Sequence, residues 1–288
     1  MYKKLLLPGA ALFAGLLLSA RPAMAEDDDI PKLRNSFFFV GAESFLFTEY
    51  DGRTAISEDK GVRGTVGIAW SNLFVPSGGA IYRAAITGYA GLPSYECIQA
   101  SSASLSNLCD AAGSTSEARY VGVKIDGLGG YRFGSKIGVE IFSGVTLDFW
   151  NRSVTSGTIT GGGASVAYDT YNAVGSFKLG ASLLQRFNRF GYFLRAGIKA
   201  PFVAWQRIDI LDGVEVSPGL QLAAFANLDL TFGTLPRDRF VISLYYDSMN
   251  LARSSPSDLY DNGTSTGLTL AAPASKMSAI GAQMIFGF

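Results

Sequence analysis

The 288-residue chain contains no histidine. Histidine is the usual general base near neutral pH, so Ser–His and Asp–His catalytic pairs cannot be built, and only Ser–Lys or Asp–Asp arrangements remain open. Charge is also scarce. Asp, Glu, Lys and Arg make up 17% of the chain, against about 25% in ordinary soluble domains. No block of basic residues occurs, which disfavours a nucleic-acid partner, since phosphate neutralisation needs clustered Lys and Arg. There are two cysteines, Cys97 and Cys109, and without histidine they make a poor start for a metal site. No cofactor is expected. Long apolar runs are missing as well. The only one, Leu5–Leu18, falls short of the about 20 residues that a membrane-crossing helix needs.

That run has its own explanation. Lys3 and Lys4 precede it, and Ala23-Met24-Ala25 follows with a small-x-small pattern. This is the layout of a secretory signal peptide, with cleavage expected after Ala25. Residues 26–34, beginning "EDDD", read as a short acidic periplasmic segment, and 35–288 as a single domain. Export removes Lys3, Lys4 and Arg21, leaving 24 − 3 = 21 basic against 24 acidic side chains.

What the chain does have is hydrophobicity, 48%, distributed singly. "VRGTVGIAW" puts Val62, Val66, Ile68 and Trp70 on one face and Arg63 on the other. "IGVEIFSGVTLDFW" sets Ile137, Val139, Ile141, Val145, Leu147 and Phe149 against Glu140, Thr146 and Asp148. The same alternation places Lys124, Asp126 and Arg132 on the polar face of "YVGVKIDGLGGYRF". It does likewise for Lys178 in "YNAVGSFKLGASLL", Arg195 and Lys199 in "YFLRAGIKAPF", Asp229 in "LQLAAFANLDLTF" and Asp247 in "RFVISLYYDS". A period of two means strands with one apolar and one polar face. Sandwich strands average about 5–6 residues. These segments are longer, as a tilted membrane-crossing strand of about 9–11 residues requires. The fold class is therefore all-β, a single antiparallel transmembrane β-barrel. Ten strands are expected, centred near Phe45, Ile68, Ala85, Ile125, Thr146, Phe177, Ile198, Ala226, Leu244 and Ala282; eight or twelve are the alternatives. Glu43 interrupts an apolar stretch, and a β-bulge there is expected to re-aim it. Connections alternate between short (75–80, 134–136, 185–189, 233–239) and long (51–60, 93–118, 152–167, 206–217, 251–271). In outer-membrane barrels the short ones are periplasmic turns and the long ones extracellular loops.

With these features the chain resembles the Gram-negative outer-membrane β-barrel superfamily (porin-like or OmpA-like barrels). The last strand, "AIGAQMIFGF", carries Ile280, Ala282, Met284, Phe286 and Phe288 at every second position. In the superfamily such a strand ending in an aromatic is read by the barrel-assembly machinery, so the resemblance implies that machinery and outer-membrane lipids as partners, and the cell outer membrane as location. Familiar enzymes of the class, the omptin proteases and the lipid A deacylases and phospholipases, depend on histidine. The resemblance therefore implies a non-enzymatic protein here.

The remaining features are weaker pointers. In an oxidising periplasm, Cys97 and Cys109 are expected to form a disulfide within the second long loop. "GLGGYRFGSK" looks like a phosphate loop, but Ser135 and Lys136 stand in the wrong order and no helix follows. "NGT" at Asn262 reads as a turn. Aromatic belts are expected on the lipid side, with Trp70, Tyr131, Tyr192, Phe232, Phe240 and Phe288 at the periplasmic interface and Phe47, Phe149, Phe202 and Tyr246 at the outer one. The eleven polar-face charges named above line the lumen with both signs. In a narrow barrel they read as a charge network filling the interior, with surface loops available to an extracellular ligand in a structural, adhesion or interaction role. A narrow porin for small solutes is the alternative, and an outer-membrane hydrolase a more distant one. No motif selects an oligomeric state.

Overall fold

A computed structural model describes residues 36–71, 79–98, 113, 115–134, 137–155, 167–187, 190–232 and 240–287. Ten long strands form the wall: β1 (Ser36–Asp51), β2 (Thr54–Ser71), β3 (Gly79–Gly91), β5 (Thr115–Phe133), β6 (Ile137–Val154), β7 (Tyr168–Arg186), β8 (Phe190–Asp209), β11 (Ala223–Phe232), β12 (Phe240–Ala252) and β15 (Ala274–Gly287). Five short strands accompany them: β4 (Ser94–Cys97), β9 (Val214–Val216), β10 (Gly219–Gln221), β13 (Ser257–Asp261) and β14 (Thr264–Leu270). Each wall strand pairs antiparallel with its predecessor and successor. β1 pairs both β2 and β15, from Phe37↔Gly287 to Tyr50↔Ala274 on the β15 side, which closes the ring. Closure leaves no strand edge in the wall unpaired, the condition for β-structure in hydrocarbon.

The alternation sorts the two faces. Outward stand Val66, Ile68, Val123, Ile125, Val139, Ile141, Leu194, Ile198, Leu244, Ile280 and Met284, each at least one-third exposed. This apolar band runs over 62–70 on β2 and 121–133 on β5, close to the about 9–11 residues of a tilted crossing. It ends towards the long connections, where exposed Lys60 follows Val62 and exposed Arg119 follows Val121. At the other end, where the strand termini Ser36 and Gly287 lie, phenylalanines form a chain. Phe187–Phe190, Phe190–Phe232, Phe232–Phe240 and Phe240–Phe286 have ring centroids 6.2, 5.5, 6.4 and 5.6 Å apart. Trp70 and Tyr131 are exposed there as well.

Four expectations need correction. Residues 51–60 are not a loop. β1 and β2 continue to a two-residue turn, where Gly52 at φ 60 takes the first central position, as in a type II′ hairpin. Glu43 sits in no bulge, because the β1 pairings run unbroken from Phe37 past it on both sides; the irregularity in β1–β2 lies between Glu49 and Tyr50. Glu43 simply points inward, as do Phe37, Phe39, Phe45 and Phe47. Phe47 is thus 7% exposed and part of the interior, not of a lipid-facing belt. Nor is 251–271 a plain solvated loop. It contains the β13–β14 hairpin, turned by Asn262 (φ 49) and Gly263 (φ 74), with Leu259 and Leu270 1% exposed.

Candidate functional site

Among the described residues the interior is where the fold gathers chemistry-bearing side chains, and it is built in three levels.

At the loop end the lumen is filled. Phe45, Phe47, Tyr95, Tyr120, Trp150, Tyr168, Leu259 and Leu270 belong to one buried cluster. Phe45 and Tyr120 meet edge to face at 4.7 Å. Arg152 lies within this cluster, 1% exposed. Its Nε donates to Asp59 Oδ2 at 2.7 Å, Nη2 to Asp59 Oδ1 at 3.2 Å and Nη1 to the Tyr168 hydroxyl at 2.9 Å. Tyr120 also donates to Asp59, and Glu49 stands 3.6 Å from Arg152. The group ties the neighbours β1 and β2 to β5, β6 and β7, which β3 separates from them in the ring.

The middle level carries the charges. All eleven predicted lumen residues, Arg63, Lys124, Asp126, Arg132, Glu140, Asp148, Lys178, Arg195, Lys199, Asp229 and Asp247, point inward, and each is ion-paired. Lys124 on β5 reaches Asp247 on β12 at 2.6 Å. These strands are five places apart in a ring of ten, so this pair bridges the whole lumen. Lys199 holds the same carboxylate at 2.5 Å. Lys178 donates to Asp126; Arg132 binds Glu140 at 2.8 Å through Nε. Burial of this many charges is tolerable only because each has a partner.

Two tyrosines are placed by glycines. Along one row Tyr245, Gly281 and Glu43 stand on adjacent strands. A Cβ on Gly281 would lie 2.4 Å from the Tyr245 ring. The glycine lets the ring lie across β15, and its hydroxyl donates to Glu43 Oε2 at 2.7 Å. Gly122 does the same for Tyr89, whose hydroxyl reaches Asp148 Oδ1 at 2.7 Å. The other Glu43 oxygen binds Arg63 at 2.5 Å, and the Arg63 guanidinium covers the Phe45 ring at 3.8 Å. A cavity of about 150 Å³ remains in this level, bordered by Glu43, Lys124, Lys178, Arg195, Tyr245 and Asp247 among others.

At the turn end Phe37, Phe39, Ala69, Ala85, Val241 and Ile285 form an apolar floor, with a second cavity of about 40 Å³.

Sequence reasoning missed Glu49, Asp59, Arg83 and Arg152. Asp59 and Arg152 fell in stretches read as loops, although both continue the parity of their strands. Arg83 sits in "AIYRAAITGYA", where Ile81, Ala85 and Tyr89 share its inward parity. Cys97 is fully buried; Cys109 lies outside the described residues, as does Phe288. Among the described residues no group of His, Cys, Asp and Glu is arranged to hold a metal ion. "GLGGYRF" is the end of β5, followed by Gly134 at φ 85, and not a loop opening a helix.

No protein-family model matches the chain, and no curated protein matches it. Solved structures do. The outer membrane protease OmpT from Escherichia coli superposes with a TM-score of 0.51 at 11% identity, covering 90% of this chain and 99% of that one. The transport unit of the autotransporter AIDA-I from Escherichia coli gives 0.46 at 6% identity, covering 97% and 98%. The translocator domain of the autotransporter NalP from Neisseria meningitidis gives 0.41 at 11%, covering 97% and 96%. At such identities the likeness speaks of architecture alone: the chain has the fold of the outer-membrane β-barrels, in a closed ten-stranded form.

Proposed function

We propose that this is a non-enzymatic outer-membrane protein with a sealed lumen, whose rigid loop end serves as an extracellular interaction surface. The observation that carries the reading is the Arg152 level. Aromatic rings, an ion pair and Leu259 and Leu270 of the β13–β14 hairpin are buried together there, and below it Lys124–Asp247 spans the lumen. A conducting pore needs a continuous water path.

The apolar band and the phenylalanine chain support insertion in the outer membrane, with the turns in the periplasm. Wall strands of up to 20 residues exceed what a bilayer requires, and the surplus lifts a paired, cored crown outside it. The crown is cross-braced: Asp212 accepts from the backbone N–H of Asn262 and Gly263 at 3.1 and 2.8 Å. Ile280, Ala282, Met284 and Phe286 face outward on β15, consistent with a strand presented to the assembly machinery. Cleavage after Ala25 and a Cys97–Cys109 disulfide belong to the same reading of an exported protein. The lack of histidine argues against hydrolysis.

The test is a planar-bilayer recording on refolded protein. Silence at high potential is expected. Stable single-channel steps that change when Arg195 or Asp229 is neutralised would establish the porin reading instead. Turnover in a lipid or peptide hydrolysis assay would overturn the non-enzymatic one.

A further inference from the structure

The ring closes strand by strand, yet one of its interfaces is not paired along its whole length. β8 pairs β11 from Phe190↔Phe232 to Lys199↔Ala223, and pairs β9 from Gln206↔Val216 to Ile208↔Val214. Between these two runs no strand pairing joins 200–205 to 217–222, although all of these residues are described. The register is the same on both sides of the gap, which sets Pro201 opposite Gln221 and Pro218 opposite Ala204. Each proline lacks the N–H that a ladder needs. Two prolines thus fall where two neighbouring strands would otherwise pair.

The two sides of the gap are not equally held. β8 stays in the ladder on its other side, where Ser176↔Pro201, Gly175↔Val203 and Val174↔Ala204 pair it to β7. The irregularity between Gly175 and Ser176 leaves Phe202 and Val203 both exposed, as a bulge does. Residues 217–222 have less. Three rows, Gly219↔Ala252, Leu220↔Leu251 and Gln221↔Asn250, tie them to β12. Pairing then slips by one residue before it resumes at Phe225↔Asp247. Side chains fill the slip. The Ser248 hydroxyl donates to the Ala224 carbonyl at 2.9 Å and accepts from the Ala224 N–H at 3.0 Å. Asn250 Nδ2 donates to the Leu222 carbonyl at 2.7 Å. The neighbours of this segment in register and chain, Ala204, Val216 and Leu251, are buried members of the loop-end cluster. Outside, Phe202, Val203, Leu220 and Leu222 are exposed, and the exposed Arg207, Asp209 and Glu215 lie just beyond them. The gap sits at the loop-side margin of the apolar band.

We propose that residues 217–222 form a strap in the wall that opens sideways by local unfolding while the rest of the ring stays paired. Stability is not uniform within a fold, and the element with the fewest ladder bonds opens first. Here that element is the strap, because β8 keeps its pairing to β7 and the strap keeps only its rows to β12. Opening uncovers the apolar cluster to the hydrocarbon beside the wall. It leaves the Arg152–Asp59 pair and the Lys124–Asp247 bridge in place. The strap is a lateral device and goes beyond the sealed lumen, which concerns the barrel axis. Hydrocarbon beside the wall rests on the outer-membrane reading; the opening itself does not.

Hydrogen–deuterium exchange on refolded protein in detergent, read by mass spectrometry, tests it. The paired rows 219–221 with 250–252 should exchange about tenfold or more faster than rows 225–232 with 240–247 of the same wall. They should also exchange faster than rows 151–154 with 168–171, which lie at the loop end of β6 and β7, so that fraying from the rim is excluded. Comparing paired rows with paired rows removes amides that never had a ladder partner. Pro201→Val with Pro218→Val supplies both missing donors and should slow 219–221 and 250–252 by about tenfold. Ser248→Ala unfastens the foot of the strap and should speed them by about threefold or more, leaving 151–154 unchanged. Heat-modifiable mobility reports whether each variant is folded, and Ser248→Ala carries the test if the double proline variant is not. Equal exchange of the strap rows and either reference set in the wild type would overturn the proposal, as would strap rows that respond to neither variant. Conductance of the wild type would sink the sealed lumen without touching this measurement.

Discussion

Replacing Arg152 with alanine should be among the most damaging single changes in the protein. The side chain is 2% exposed and that of Asp59 is 0% exposed, so solvent cannot screen the loss. Truncation strands the Asp59 carboxylate, which keeps only the Tyr120 hydroxyl from this group, and takes one hydrogen-bond partner from the Tyr168 hydroxyl. Breaking a buried pair by removing one partner costs about 3–5 kcal/mol. Removing both charges is different. The double variant Arg152→Met, Asp59→Leu leaves no orphan charge and refills much of the volume, and such replacements are often neutral or stabilising. The double variant should therefore recover most of the loss, giving a strong coupling energy in a double-mutant cycle. Urea unfolding in vesicles, followed by heat-modifiable mobility, reads both. A single variant costing less than about 1 kcal/mol, or a double variant as unstable as the single, would refute the view that the pair holds the loop end shut.

Other outcomes follow from the same geometry. Gly281→Val should displace the Tyr245 ring, now 2.4 Å from the position of a Cβ, and lower the folded yield. Adding Tyr245→Ala should restore yield but not the tie to Glu43, and an unchanged yield in the single variant would count against the row described. Val66→Arg, in the apolar band and 47% exposed, should cost about 2–4 kcal/mol in vesicles if it lies near the midplane; the same change at Lys60 should be silent in the same unfolding assay. Reducing a Cys97–Cys109 disulfide should remove roughly 2–3 kcal/mol on a chain-entropy estimate, read as a lower unfolding midpoint. No shift on reduction would remove that disulfide from the account.

The sequence was most legible where one face of the wall is apolar and outward and the other polar and inward. There the requirement on every second residue is strong, so the ten strand centres and the eleven inward charges could be read by parity alone. It was least legible where strands run beyond the apolar band. In 51–60 and around Arg152 the outward face is no longer apolar, and polar residues on a strand look like a loop. Asp59 and Arg152 were overlooked for that reason, and they turned out to sit at the heart of the filled end.

Sequence alone determined the all-β class and the inward face of the eleven charges, and favoured ten strands over eight or twelve, because these follow from local periodicity; it placed Phe47 on the wrong face. Which charge meets which did not. Lys124 finds Asp247, 123 residues away, and Arg83 shares Asp229 with Arg195 only once closure and register bring opposite walls together. The ion pairs that cross the lumen and the buried cluster around Arg152 are properties of that closure, so only the tertiary structure could decide them.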